Sequence, residues 1–156
     1  FFEHRALLDT AWARRPYPGD EFILPFGVAR VVRDGEVLTV VSWGAMVERC
    51  ESAITSIGID AELIDLRTIS PWDRDAVISS VKKTHRCLIV HEDNITAGFG
   101  AEIAATVSSE CFASLDAPVK RLATPDIPIP YNVTLLSAVV PSVEIISQGL
   151  RELAGY

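Results

Sequence analysis

Three short, almost uninterrupted apolar runs constrain this chain most: VLTVVS at 37–42, AELIDL at 61–66 and CLIVH at 87–91. Runs of this length, rich in Val, Ile and Leu, suit strands covered on both faces, as a mainly parallel sheet requires. The segments between them change period. Met46, Val47, Cys50, Ala53, Ile54 and Ile57 recur at helical spacing, and Gly58 stands where a helix C-cap belongs. Ser70-Pro71-Trp72-Asp73 predicts a second helix start, with Ser70 as cap, Pro71 in the first helical position and Asp73 favouring the helix dipole; this helix should run to about Lys83. A long helix is predicted from Gly98 through Ile103, Val107 and Cys111, and a last strand over 119–123. Pro141-Ser142 opens a final helix striped by Val143, Ile146, Leu150 and Leu153.

Ahead of these units, 29–33 predicts a strand closed by the turn pair Asp34-Gly35. Residues 1–15 carry short helical periodicity through Ala6, Leu7, Ala11 and Trp12, and PYPGD at 16–20 forbids regular structure. Residues 1–23 therefore read as an arm from an upstream domain, and 24–156 as one domain. Strands alternating with helices imply a mainly parallel sheet with helices on both faces.

With 49 % apolar and 22 % charged residues the chain has the balance of a packed domain. Its net charge of −7 disfavours nucleic acid as a partner and allows a basic protein. No apolar run reaches the roughly 18–20 residues that span a bilayer, so no membrane association is expected. The N-terminus lacks a basic segment before an apolar one, so no signal peptide is expected. The absence of an initiating Met reads as processing or as a piece of a longer chain. Cys50, Cys87 and Cys111 are far apart and each lies in an apolar stretch, which predicts buried free thiols in a reducing compartment and no metal site.

Few motifs carry chemistry. Gly98-Phe99-Gly100 has two glycines of a dinucleotide fingerprint, but Ile103 stands in the third place; it reads as a close-packed helix start or, less simply, as a cofactor cradle. His91-Glu92-Asp93-Asn94 follows a strand, at the sheet edge where functional groups gather. Acid–base work, a subunit interface and a plain loop all remain open for it. Ser42-Trp43-Gly44 lacks the flanking glycine and spacing of a nucleophile elbow. Arg67 either pairs with an acid and pins its loop or is solvated.

The stretch IDLRTISPWD resembles the beta subunit of the decarboxylating component of 2-oxo acid dehydrogenases, of branched-chain or pyruvate type. FFEHRALL, PYPGDEFILPFGVARVVRDG, LTVVSWGAMV, SVKKTHRCLIVHED, GFGAEIAATV and LDAPVKRLATPDIPIPY follow in that family's order. The resemblance implies a C-terminal domain shared with transketolases: three-layer α/β/α, with a five-stranded, mostly parallel mixed sheet and an antiparallel first strand. It implies thiamine diphosphate and magnesium in the full enzyme, held between other domains. This chain then carries no catalytic, cofactor-binding or metal residue, and alone would be inactive. The implied job is assembly with an alpha subunit or alpha domain and with a second beta copy, His91, Glu92, Phe99, Gly100 and Glu102 lying at the subunit interface. Docking of a dihydrolipoyl acyltransferase is implied at Asp126, Ile127 and the Tyr156 carboxylate. The implied compartment is the cytoplasm, or alternatively the mitochondrial matrix. Two other readings are a free-standing nucleotide-binding module and the same domain of a transketolase or deoxyxylulose-phosphate synthase.

Overall fold

The computed structural model describes residues 3–156, so Phe1 and Phe2 lie outside the described residues. Its centre is a five-stranded sheet: β1 (Arg30–Arg33), β2 (Leu38–Ser42), β3 (Ala61–Asp65), β4 (Cys87–Asn94) and β5 (Lys120–Thr124), in the order β1-β3-β2-β4-β5. Strands β2 to β5 are mutually parallel, and β1 runs antiparallel to β3 along the outer edge. This is the mixed sheet with a reversed first strand that the family resemblance implies.

The alternation of side chains along the central strands builds two cores. Leu38, Val40, Leu63, Leu88 and Val90 face helices α2 (Met46–Ile57) and α6 (Val143–Ala154). Val41, Ile64, Cys87 and Ile89 face α3 (Arg74–Thr84) and α4 (Gly100–Glu110). Helices therefore cover both faces, which explains why the central strands show no polar face in the sequence. Thr39 and Ser42 are the polar residues of β2; Ser42 donates to the Val90 carbonyl at 2.9 Å, and Thr39 meets helix α3. The Thr39 hydroxyl lies 2.6 Å from that of Ser80 and 2.7 Å from that of Thr84, so three buried hydroxyls satisfy one another between strand and helix.

Several boundaries differ from the sequence reading. Helix α3 begins at Arg74, and its cap is Asp73, whose carboxylate accepts the Ala76 N–H at 3.1 Å. Ser70 and Pro71 stand outside the helix, joined by a cis peptide bond. Asp73 prevails because its other oxygen accepts the Ala29 N–H at 2.8 Å, tying the helix start to the strand entry. Helix α4 starts at Gly100, not Gly98. Strand β4 continues to Asn94, beyond His91, because β5 offers it a partner after an irregularity in register.

The proline-rich passage before α6 contains an additional helix, α5 (Val133–Val139), capped by Asn132 Oδ1, which accepts from the N–H groups of Thr134 and Leu135. The stretch Val133–Ala154 has a mean hydropathy of 1.5 over its most apolar window, enough by length and composition for a membrane span. It is two helices, however, separated at Val140 and Pro141, and α6 buries Ile146, Leu150 and Leu153 against the sheet. Among the described residues near the N-terminus only α1 (Arg5–Leu8) is helical, shorter than the periodicity over 1–15 predicts. The arm nevertheless lies on the domain: Trp12 packs against the first core and donates from Nε1 to Glu51 at 2.7 Å.

Candidate functional site

The carboxyl ends of the parallel strands form the candidate site. From β2 the chain crosses to β3 on one side, and from β4 it crosses to β5 on the other. The crevice between the ends of β2 and β4 is thus the switch point where ligands bind in open α/β sheets.

That crevice is filled by the protein itself. Trp43, just past β2, stacks on His91 of β4 with ring centroids 5.2 Å apart and planes 8° from parallel. Phe99 meets Trp43 edge-on at 6.1 Å, and Trp72 meets Phe99 in the same manner at 6.3 Å. The His91 ring is wholly buried, and neither ring nitrogen has a hydrogen-bond partner among the described residues. Burial lowers its pKa, helped by the Arg121 charge and opposed by the carboxylate and backbone of Asp93. The imidazole is therefore neutral at pH 7. An imidazole unpartnered among the described residues and stacked against aromatic rings is a packing unit.

The two glycines of the α4 start exist for this ring. A β-carbon on Gly100 would stand 2.4 Å from His91 Nε2, and one on Gly98 would stand 2.8 Å from Cε1 and 2.1 Å from the Asn94 carbonyl oxygen. The helix start is close-packed, and His91 occupies the space beside the glycines that a diphosphate cradle would keep open. Among the described residues no cluster of three or more His, Cys, Asp or Glu could hold a metal ion.

The predicted interface residues separate by burial. His91 and Gly100 are interior and present no surface to a partner; they can only shape the loop that does. Glu92 and Phe99 are partly accessible and Glu102 is exposed. Glu92 is engaged from a distant part of the chain: His4 Nε2 lies 2.6 Å from its Oε1. The loop that follows is fastened to β5. Thr124 donates to the Glu92 carbonyl at 2.9 Å, the Ile95 N–H donates to the Thr124 carbonyl at 2.8 Å, and Arg121 donates to the Ile95 carbonyl at 2.7 Å.

Asp126 is exposed, and its carboxylate accepts from the Thr96 N–H at 3.1 Å and from the Thr96 hydroxyl at 2.5 Å. These bonds hold its pKa below the ordinary carboxylate range. Ile127 beside it is 44 % exposed. Tyr156 stands elsewhere: it lines a cavity with Pro118, Lys120 and Glu152 at the amino end of β5, whereas Asp126 follows the carboxyl end. The strand between them has five residues, roughly 16 Å of extended chain, so the three predicted docking residues do not form one cluster.

Three features of this edge escaped sequence reasoning: the His4–Glu92 pair, 88 positions apart; the Trp43–His91 stack; and Arg15 and Arg30, which line one cavity with Arg67. No short-range signal marks any of them. Arg67 pins its loop through its backbone, with its N–H donating to Asp65 Oδ1 at 3.1 Å. Burial raises the Asp65 pKa, while that N–H and the charges of Arg30 and Arg67 pull it down. All three cysteines are buried and free as predicted; burial pushes the Cys50 and Cys87 thiols up to about 12, far from reactive thiolates.

Comparison with known proteins agrees with this architecture. Residues 27–146 match the transketolase C-terminal domain. The chain belongs to that family. Its sequence relatives include beta subunits of 2-oxoisovalerate and pyruvate dehydrogenases. It is 47 % identical over 133 residues to the mitochondrial 2-oxoisovalerate dehydrogenase subunit beta 2 of Arabidopsis thaliana, covering 83 % of this chain and 37 % of that protein. It is 37 % identical to the 2-oxoisovalerate dehydrogenase subunit beta of Bacillus subtilis, covering 100 % of this chain and 48 % of that one. The pyruvate dehydrogenase E1 component subunit beta of Porphyra purpurea is 42 % identical over 90 % of this chain and 42 % of its own length. Among solved structures, a split-gene transketolase, described as an inactive beta4 tetramer, superposes with a TM-score of 0.69 at 18 % identity, covering 88 % of this chain and 44 % of that one. That likeness is one of fold. The chain spans less than half the length of these relatives.

Proposed function

We propose that this chain is the assembly domain of the beta part of a thiamine-diphosphate-dependent 2-oxo acid dehydrogenase, whose reacting groups lie on other domains. The observation that carries the reading is its uncovered apolar surface. Phe22, Ile23, Leu24, Phe26 and Val28 before the sheet, and Ile127, Ile129, Tyr131, Val133 and Leu135 after it, are all exposed; Phe26 is 83 % exposed and Tyr131 fully so. Large apolar side chains grouped in two segments of a domain with two complete cores mark surface that another subunit covers. The named relatives, beta subunits of multisubunit enzymes, support an alpha subunit or alpha domain and a second beta copy as the partners.

In this reading, residues 1–23 connect to an upstream domain and 24–156 form the assembly domain. Thiamine diphosphate and magnesium belong to the full enzyme, where they supply the carbanion chemistry of decarboxylation. The residues beside Gly98 and Gly100 do not fit a diphosphate, because His91 fills that space. Asp126, rigidly presented by Thr96 and flanking prolines, is a docking point for a basic acyltransferase module. Tyr156 would have to be reached by a separate contact. Relatives named as mitochondrial and relatives from bacteria support the mitochondrial matrix and the cytoplasm respectively.

Calorimetry tests the assignment. Thiamine diphosphate with magnesium should bind the full-length protein assembled with its alpha partner and give no binding heat with this chain alone. Tight binding to this chain alone would refute it.

A further inference from the structure

Three arginines from three separate segments line one cavity of about 300 Å³ at the carboxyl edge of the sheet: Arg15 from the arm, Arg30 from β1 and Arg67 from the β3–α3 connection. Among the described residues Asp65 is the only acid in its wall, so an ionised Asp65 leaves a formal charge of +2. The cations are incompletely used. Arg30 reaches Asp65 at 3.4 Å, a long contact, and its buried Nε has no partner among the described residues. Arg67 makes no ion pair among the described residues. Arg15 donates to the carbonyls of Trp12 and Arg14, and its guanidinium lies 5.5 Å from the centre of the Trp12 ring.

The backbone adds an independent observation. Arg67 has φ +59°, a left-handed conformation that costs a long side chain free energy and persists where surroundings enforce it. The bond from its N–H to Asp65 Oδ1 at 3.1 Å holds that conformation, and both residues line the cavity.

We infer that this cavity binds the phosphate group of a small organic phosphate. Guanidinium forks match phosphate oxygens in geometry, and a phosphate dianion matches the net charge of the wall. The cavity is larger than a bare phosphate needs, and Leu7 and Trp12 offer an apolar flank for the organic part. The site is built by the arm as much as by the sheet, so it exists only while residues 7–15 lie on the domain.

The test is a ³¹P NMR titration of the full-length protein with inorganic phosphate, with thiamine diphosphate in excess to fill any diphosphate site elsewhere. Saturable binding is expected, weakened about tenfold by Arg67→Asn and about tenfold by Arg15→Gln. Asn tolerates the left-handed backbone, so Arg67→Asn removes the charge without refolding the loop. Acetate at equal concentration should leave phosphate binding unchanged. Non-saturable binding, or saturable binding untouched by both substitutions, would mean an adventitious ion only and overturn the site. Equal competition by acetate would overturn its assignment to phosphate.

Discussion

The imidazole of His91 stands where a side chain on Gly100 would have to be, with Nε2 only 2.4 Å from the position of a β-carbon there. One residue ends the apolar run of β4 and the other starts α4, so their contact sets how closely helix and strand approach. Gly100→Ala must displace a ring already held by Trp43, or push the helix away. The expected cost is about 1–3 kcal/mol, the range for overpacking a filled core. Urea unfolding of this chain checks it, and a loss below a few tenths would show that the contact is slack.

The same ring predicts a pH dependence. The folded pKa of His91 lies below its ordinary value: burial is the largest cause, the Asp93 charge opposes it and the Arg121 charge adds to it. Between that lowered value and about 6.5, the unfolded chain binds the proton and the folded chain does not. Stability from this group is therefore complete above about pH 6.5 and falls as the pH drops toward the folded pKa, then levels off. His91→Phe keeps a flat ring and should remove this part of the acid loss. Unfolding free energies of both proteins between about pH 7 and pH 5 decide the matter. Parallel curves would assign the acid sensitivity to other groups.

Asp73 and Ser70 separate two accounts of the α3 start. Asp73 accepts from Ala76 within the helix and from Ala29 across to the strand entry, whereas Ser70 lies before the helix and caps nothing. Asp73→Ala should cost about 1–2 kcal/mol or more, the value of a helix cap plus a second lost bond. Ser70→Ala should change stability by less than about 0.5 kcal/mol. Thermal unfolding of the two variants side by side makes the comparison.

Phe22 and Phe26 are more than half exposed and support neither core. Replacing both with Ser should leave the stability of this chain within about 0.5 kcal/mol. In the full-length protein the same pair of changes should shift assembly toward smaller species in sedimentation velocity. An unchanged distribution would remove the apolar surface as support for an assembly role.

Asp126 holds Thr96 through both the hydroxyl and the backbone N–H. Asp126→Ala should speed hydrogen exchange at Thr96 while leaving the β4 core amides protected. If acyltransferase docks at this point, the variant should also bind it more weakly in a pull-down titration. Unchanged affinity would confine Asp126 to its structural bond.

Much of this architecture was written in local pattern. Val40, Leu63 and Leu88 lie in apolar runs whose composition already demands cover on both faces, and Gly58 ends α2 at the predicted residue, with φ +65°. The stripe on α6 through Ile146, Leu150 and Leu153 likewise follows from helical spacing alone. These features depend on neighbours within a few residues, which is the range over which hydrophobic periodicity and backbone preference act. The reversed β1 and the transketolase-type sheet came from ordered motifs along the whole chain, not from any single strand.

What only the tertiary structure decided is where chain segments remote in sequence meet. Whether Ser70 or Asp73 capped α3 depended on the distant Ala29 N–H, and the length of β4 depended on β5 being beside it. His91 looked available for surface chemistry until Trp43, Gly98 and Gly100 closed around it. Likewise His4 met Glu92, and Arg15, Arg30 and Arg67 converged, only after the arm folded back on the sheet edge. Local sequence thus set the elements and their buried faces, because burial is encoded in each element's own periodicity; the site was set by three-dimensional proximity, which no short window of sequence contains.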